Sequence, residues 1–153
     1  MKIKFKRIHS DAVVPKFMTN GAACVDLVAT QVQEVGPNKV LVKFGFSTEI
    51  PEGWKICIAP RSSFTHTSWI LANSPGQVDS DYRGEWMVKF EGLPLMKRHT
   101  TGVVGIGYGD FPYKKGDRVA QAWIEPVHHM EFEEVDQLSE TQRGAGGFGH
   151  TGK

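Results

Sequence analysis

Asp79 and Asp81 stand close together, with Tyr82 and Arg83 directly after them, in the polar stretch Asn73-Ser74-Pro75-Gly76-Gln77-Val78-Asp79-Ser80-Asp81-Tyr82-Arg83-Gly84-Glu85. A carboxylate held in position is a common general base, and an aromatic ring beside it offers an apolar platform with a polar tip. Pro75-Gly76 is a turn signal, because proline presets φ and glycine tolerates φ > 0. Trp86, Val88 and Phe90 then alternate with Met87 and Lys89. The pattern predicts a β-hairpin feeding a strand. Aspartate is depleted in strands, so acids at this density need a reason. Two readings are open. One is a solvated turn whose aspartates bond their own backbone. The other is a pocket in which backbone groups read a flat polar ring, Tyr82 packs on an attached sugar and Asp79 acts as base.

Other clusters bear on that choice. Arg61-Ser62-Ser63, just after Pro60, brings a guanidinium, two hydroxyls and the N–H groups of a predicted helical start. These suit an anion, or equally an N-cap beside a surface arginine. In Lys115-Gly116-Asp117-Arg118-Val119-Ala120-Gln121 a polar Gln121 enters an apolar strand pattern, facing either a ligand or an edge. Asp26 interrupts the apolar run Ala22–Ala29. A bare buried carboxylate is costly, so Asp26 must be paired or hydrogen-bonded. From Arg143 the chain reads Arg-Gly-Ala-Gly-Gly-Phe-Gly-His-Thr-Gly-Lys, with five glycines whose ordering is entropically expensive. The tail is either a disordered end or a strap whose N–H groups and Arg143 wrap phosphates while Phe148 stacks on a base. Its formal G-x-x-x-x-G-K match is not a P-loop, since no strand precedes it and no Ser/Thr or helix follows. The histidines show no metal-ligand spacing, and adjacent His128 and His129 would face opposite ways on a strand.

The elements that must position these groups are strands. Ile3 and Phe5 alternate with Lys2, Lys4 and Lys6. Further short alternating runs are predicted around Val25, from Lys39 to Ile50 as a strand pair, from Trp54 to Ala59, and from Arg118 to Val127. Gly and Pro punctuate them, residues 62–70 offer a helical turn or two, and residues 131–138 are ambiguous. Many short strands with such breaks imply an all-β sandwich or barrel. At 153 residues the chain is one domain with a real core. Its net charge of +1 provides no field for nucleic acid, and no apolar run is long enough for a membrane. Cys24 and Cys57 sit in apolar surroundings and read as buried thiols, consistent with a reducing, cytoplasmic setting.

The motifs, taken in order, resemble those of the trimeric dUTPase family, the dUTP pyrophosphatases. The first is Ala22–Ala29, the second Ala59-Pro60-Arg61-Ser62-Ser63, and the third Asn73–Glu85. The fourth is Lys115–Gln121 and the fifth Arg143–Gly152. Each is weak alone; five in order are specific. The resemblance implies a jelly-roll-like distorted β-barrel over residues 1–142, assembled as a homotrimer, with residues 143–153 as a glycine-rich arm that closes the site. It implies hydrolysis of dUTP to dUMP and pyrophosphate with Mg²⁺. By position, Asp79 would activate the attacking water. Asn73 and the backbone of Gly76, Gln77 and Val78 would read uracil, with Tyr82 under the deoxyribose and Phe148 over the base. Arg61, Ser62, Ser63, Gln121 and Arg143 would hold the triphosphate, Met87 would touch the substrate, and Asp26 would reach the metal through water.

Departures from the family pattern are Cys24 and Ser63, where Gly is common, and His150, where Ser is usual. Residues 91–113 look longer than in compact members and read as a surface hairpin extension or a docking site for another protein. Two alternatives stay open: an enzyme related to dCTP deaminase, whose signature also contains Arg-Ser-Ser, and a nucleotide-binding regulator working through residues 91–113.

Overall fold

The computed structural model describes residues 1–98 and 104–147. Among these residues every regular element is a strand except one short 3-10 helix, Ser62–His66. The strands are β1 Lys4–Arg7, β2 Lys16–Phe17, β3 Val25–Val28, β4 Gln31–Gly36, β5 Lys39–Lys43, β6 Phe46–Glu49, β7 Trp54–Pro60, β8 Trp69–Leu71, β9 Gly76–Val78, β10 Met87–Gly92, β11 Leu95–Arg98, β12 Val104–Gly107 and β13 Arg118–Pro126. A five-stranded sheet runs β2-β3-β13-β7-β9, and a four-stranded sheet runs β4-β5-β10-β8. Both are covered on one face by a shared core, as their alternation demands. Val40 and Val42 of β5 and Val88 and Phe90 of β10 point in from one side. Leu27, Ile56, Ile58, Val78 and Ala122 point in from the other. The all-β reading holds, and residues 127–147 contain no strand or helix.

Two local expectations need correction. Asn73–Glu85 is not a hairpin of two paired strands. β9 hydrogen-bonds to β7, while β10 pairs with β5 and β8, so the segment crosses from one sheet to the other. Likewise β5 and β6 are not partners: β6 pairs with β1. In both places the strands were legible and the pairing was not, because the partner is chosen by burial of the whole face. The predicted hairpin within residues 91–113 is present in its described part, where β11 and β12 pair antiparallel from Leu95↔Gly107 to Arg98↔Val104. Among the described residues no helix is long and apolar enough to cross a membrane.

One buried polar contact locks the crossing segment in place. Trp86 Nε1 donates to Thr48 Oγ1 at 3.1 Å, and both side chains are buried. Valine at position 48 would keep the shape and remove the acceptor. We expect Thr48→Val to lower the unfolding free energy by about 1–3 kcal/mol in urea titration, the cost of an unpaired buried donor. An unchanged midpoint would mean that the indole finds another acceptor.

Candidate active site

β7 behaves as a ruler with a different chemistry at each end. At its C-terminal end the chain leaves Pro60 for Arg61, whose extended backbone (φ −75°, ψ 156°) opens the 3-10 helix without a side-chain cap. Below that helix Phe64 stacks on Phe90, with ring centroids 4.5 Å apart, and packs against Tyr113 at 4.6 Å. This aromatic footing fixes the two serines above it. Tyr113 donates its hydroxyl proton to Ser63 Oγ at 2.6 Å, which leaves the serine's own proton to donate outward. Ser62 is exposed.

Arg61 is not a surface arginine. Its Nε lies 3.1 Å from Asp26 Oδ1, and its Nη1 donates to the Arg118 carbonyl at 3.2 Å. Arg118 Nη1 lies 2.9 Å from Asp26 Oδ2. Asp26, with a side chain only 15% exposed, therefore carries an arginine on each oxygen. The acid inside the apolar run is paired, as burial requires. Gln121 sits on central β13, directly opposite Asp26 on β3 and Ala59 on β7, and its Nε2 donates to the Pro60 carbonyl at 3.0 Å. Asp26, Arg61, Ser62, Ser63 and Gln121 thus form one group around the start of the 3-10 helix. Burial, and then the Asp26 charge, push the nearby Cys24 thiol up, so it adds no nucleophile here.

The other predicted residues gather elsewhere. β9 pairs with β7 through Ile58↔Gly76, Cys57↔Gln77 and Ile56↔Val78. A recess of about 130 Å³ opens there, lined by Asn73, Gly76, Gln77, Val78, Asp79, Tyr82 and Met87 among others. Gly76 is buried in the wall of the recess, where a Cβ would make ordinary contact with Asn73 Nδ2 at 3.4 Å and Ile58 Cβ at 3.5 Å. The Tyr82 N–H donates to the Asp79 carbonyl at 3.2 Å, and its hydroxyl donates to the Glu85 carbonyl at 3.0 Å. These bonds hold a half-exposed ring beside an exposed Asp79 carboxylate. Asp79 also lines a second, larger cleft with Lys55, Asp81, Arg83 and His129.

Asp79 follows the last ladder pair, Ile56↔Val78, and lines one cleft with Lys55, the residue before Ile56. Lys55 is six residues before Arg61, which at the strand rise of ~3.3 Å per residue is roughly 20 Å. The acid and the arginine therefore stand at opposite ends of one strand. Between them, on the outer face, Cys57 Sγ donates to Glu125 Oε2 at 3.4 Å. Burial, and then that contact, push the Cys57 thiol up. The Trp123 N–H at 2.6 Å is the main reason that the Glu125 carboxyl is held below the usual range.

Among the described residues no three His, Cys, Asp or Glu side chains come together as a metal cage. The only acid among the phosphate-suited residues, Asp26, has both oxygens engaged by guanidinium groups. Such a site fits an ion held chiefly by ligand phosphate oxygens and water, which is how Mg²⁺ binds. Arg143 is exposed and donates from Nε to the Gly146 carbonyl at 2.9 Å. Phe148 and His150 lie outside the described residues. Sequence reasoning assigns no role to Arg118, whose guanidinium the structure sets on Asp26.

An all-β frame with a basic, hydroxyl-bearing cradle and an acid beside a shaped recess is that of a nucleotide-binding β protein. The chain belongs to the dUTPase family, whose profile matches residues 10–152. Deoxyuridine 5'-triphosphate nucleotidohydrolase of Helicobacter pylori strain P12 is 39% identical over 155 residues, spanning 99% of this chain and 97% of its own. The enzyme of that name from Nautilia profundicola is 40% identical over 156 residues, with 100% of both chains covered. Solved phage proteins share the fold. A mutant of the Staphylococcus bacteriophage 80alpha dUTPase with dUpNHpp superposes with a TM-score of 0.77 at 21% identity, covering 99% of each chain. A mutant dUTPase of phage phi11 of S. aureus, described with a coordinated structural Mg(II) ion, has a TM-score of 0.73 at 17% identity, covering 92% of this chain and 100% of its own.

Proposed function

We propose that this protein hydrolyses dUTP to dUMP and pyrophosphate with Mg²⁺, in a homotrimer whose active sites are shared between chains. What carries this reading is the register that sets the two half-sites at opposite ends of β7, roughly 20 Å apart at a strand rise of ~3.3 Å per residue. A triphosphate chain is far shorter than that. Asp79 of one chain therefore meets phosphates held by Arg61 of another, and a closed ring of copies supplies that pairing at every site. Family membership and the full-length relatives support the activity.

In this reading the recess takes the uracil. Asn73 and the backbone of Gly76, Gln77 and Val78 present polar groups to its edge, and a base with the wrong donor pattern leaves them unpaired. Tyr82 packs under the deoxyribose, and Met87 closes the rim. Arg61, Ser62, Ser63 and Gln121 hold the phosphates. Asp79 takes the proton of the attacking water, a task that calls for position more than for a perturbed pKa. When bound, Mg²⁺ would neutralise phosphate oxygens, and Asp26 is the residue that would hold it, through water. Residues 143–153 act as a separate arm, with Arg143 on the phosphates and Phe148 on the base, over a domain formed by residues 1–142. In this reading the surface extension is the β11–β12 hairpin; at the ends of residues 91–113, Gly92 is buried in β10 and Phe111 packs against Phe64 and Phe90. The two free cysteines support a reducing, cytoplasmic setting.

Incubation with each nucleoside triphosphate and Mg²⁺, followed by product identification, tests the activity. We expect dUMP and pyrophosphate from dUTP and little from the others. Deamination of dCTP, or no turnover at all, would overturn the reading.

A further inference from the structure

We propose that Arg118 is a positioning residue for the phosphate cradle: it neutralises Asp26, so that Asp26 can aim the Arg61 guanidinium without cancelling its charge. This rests on the reading of the site as a dUTP pyrophosphatase.

The placement of Arg118 depends on a break in the β13 ladder. Counting back from Gln121, strict alternation puts Gln121 and Val119 on one face and Ala120 and Arg118 on the other. The register against β3 runs Gln121↔Asp26, Ala120↔Leu27 and then Arg118↔Val28, which leaves Val119 as an extra residue. Val119 and Ala120 are both 0% exposed, so both turn into the core. The bulge thereby flips the parity, and Arg118 returns to the face that carries Gln121 and Asp26. Its side chain is 43% exposed, so it is not there to fill the core.

Arg61 is pinned twice, by Asp26 Oδ1 on Nε and by the Arg118 carbonyl on Nη1. A guanidinium has five N–H donors, so about three remain for a phosphate. Pinning the side chain beforehand spares the rotamer entropy otherwise lost on binding. Aiming an arginine with a carboxylate has a drawback, because the carboxylate stands beside an anionic ligand. Arg61 with Asp26 alone sums to zero charge, and Arg118 restores a net positive cradle. Arg118 thus serves twice, through its guanidinium on Asp26 and through its carbonyl on Arg61.

The test compares the parent protein with Arg118→Gln and Arg118→Lys by calorimetry with dUpNHpp and with dUMP, both with Mg²⁺. The NMR resonance of the Arg61 Nε–H provides a readout independent of turnover. For Arg118→Gln we expect dUpNHpp binding to weaken by about 10–100-fold, the scale of a lost charge-assisted contact, with dUMP binding nearly unchanged. The Arg61 Nε–H should exchange faster or shift. Arg118→Lys, which keeps the charge without the planar fork, should fall between the two, and it carries the test should the glutamine variant not fold. Equal weakening of both ligands, an unmoved Arg61 resonance, or a lysine variant matching the parent in both readouts would overturn the assignment. Failure of the parent itself to bind dUpNHpp would instead refute the reading of the site.

Discussion

An Asp79→Asn variant is expected to bind dUpNHpp about as tightly as the parent and to hydrolyse dUTP roughly 10²–10⁴-fold more slowly, the range for loss of a positioned general base. Asparagine keeps the size of the side chain and its carbonyl acceptor, and it loses the capacity to take a proton. The backbone around it should not move. Its carbonyl accepts the Tyr82 N–H, Val78 before it is buried, and neither contact involves the carboxylate. The recess should therefore keep its shape and its affinity, and the loss should appear in kcat with KM little changed. Pyrophosphate release under saturating dUTP, beside calorimetry with the analogue, separates the two quantities. An asparagine variant that retains activity would remove Asp79 from the chemistry. A variant that fails to bind would make Asp79 part of the recognition surface instead.

Removal of residues 143–153 is expected to leave a folded assembly whose kcat/KM falls by about 10²-fold or more, since a closing segment completes the site and excludes competing water. Among the described residues none of the core side chains belongs to the segment, and Arg143 bonds locally, to Gly146. Stability should therefore be almost untouched. Circular dichroism melting and gel filtration should match those of the full chain while turnover collapses. Undiminished turnover would refute the lid role. A melting point lowered in parallel would show that the segment belongs to the scaffold. The five glycines make the segment costly to order, so the closed state must be repaid by contacts to the ligand.

Period-two alternation made the core legible in the sequence. Val40 and Val42, and Val88 and Phe90, announced their buried faces, and Trp54–Ala59 announced β7. The need for a partner at Asp26 was also legible, because an isolated buried carboxylate is untenable; which cations serve it was not, since Arg61 and Arg118 are distant in sequence. Pairing failed for the same reason. Asn73–Glu85 looked like a hairpin because turn chemistry is local, whereas the choice between β7 and β10 as partner depends on the whole sandwich. Arg118 was hidden by the bulge. The adjacent apolar pair Val119-Ala120 was the available sign that alternation breaks there, and it reads as noise without the register of β3. The five motifs named candidate residues, and the resemblance implied sites shared between subunits; the distribution of the two groups to opposite ends of β7 came only with the register.

That distribution has a consequence at the level of genes. In the proposed trimer a chain with a ruined Arg61 would still present a sound Asp79 to one neighbour, and a chain with a ruined Asp79 would still present a sound Arg61 to another. Two alleles that are each inactive alone should therefore complement when co-expressed, with about one quarter of randomly assembled sites drawing both halves from intact contributors. Two lesions at the same end of β7 should not complement at all. In the proposed trimer, inheritance of activity follows the position of a lesion along a single β-strand.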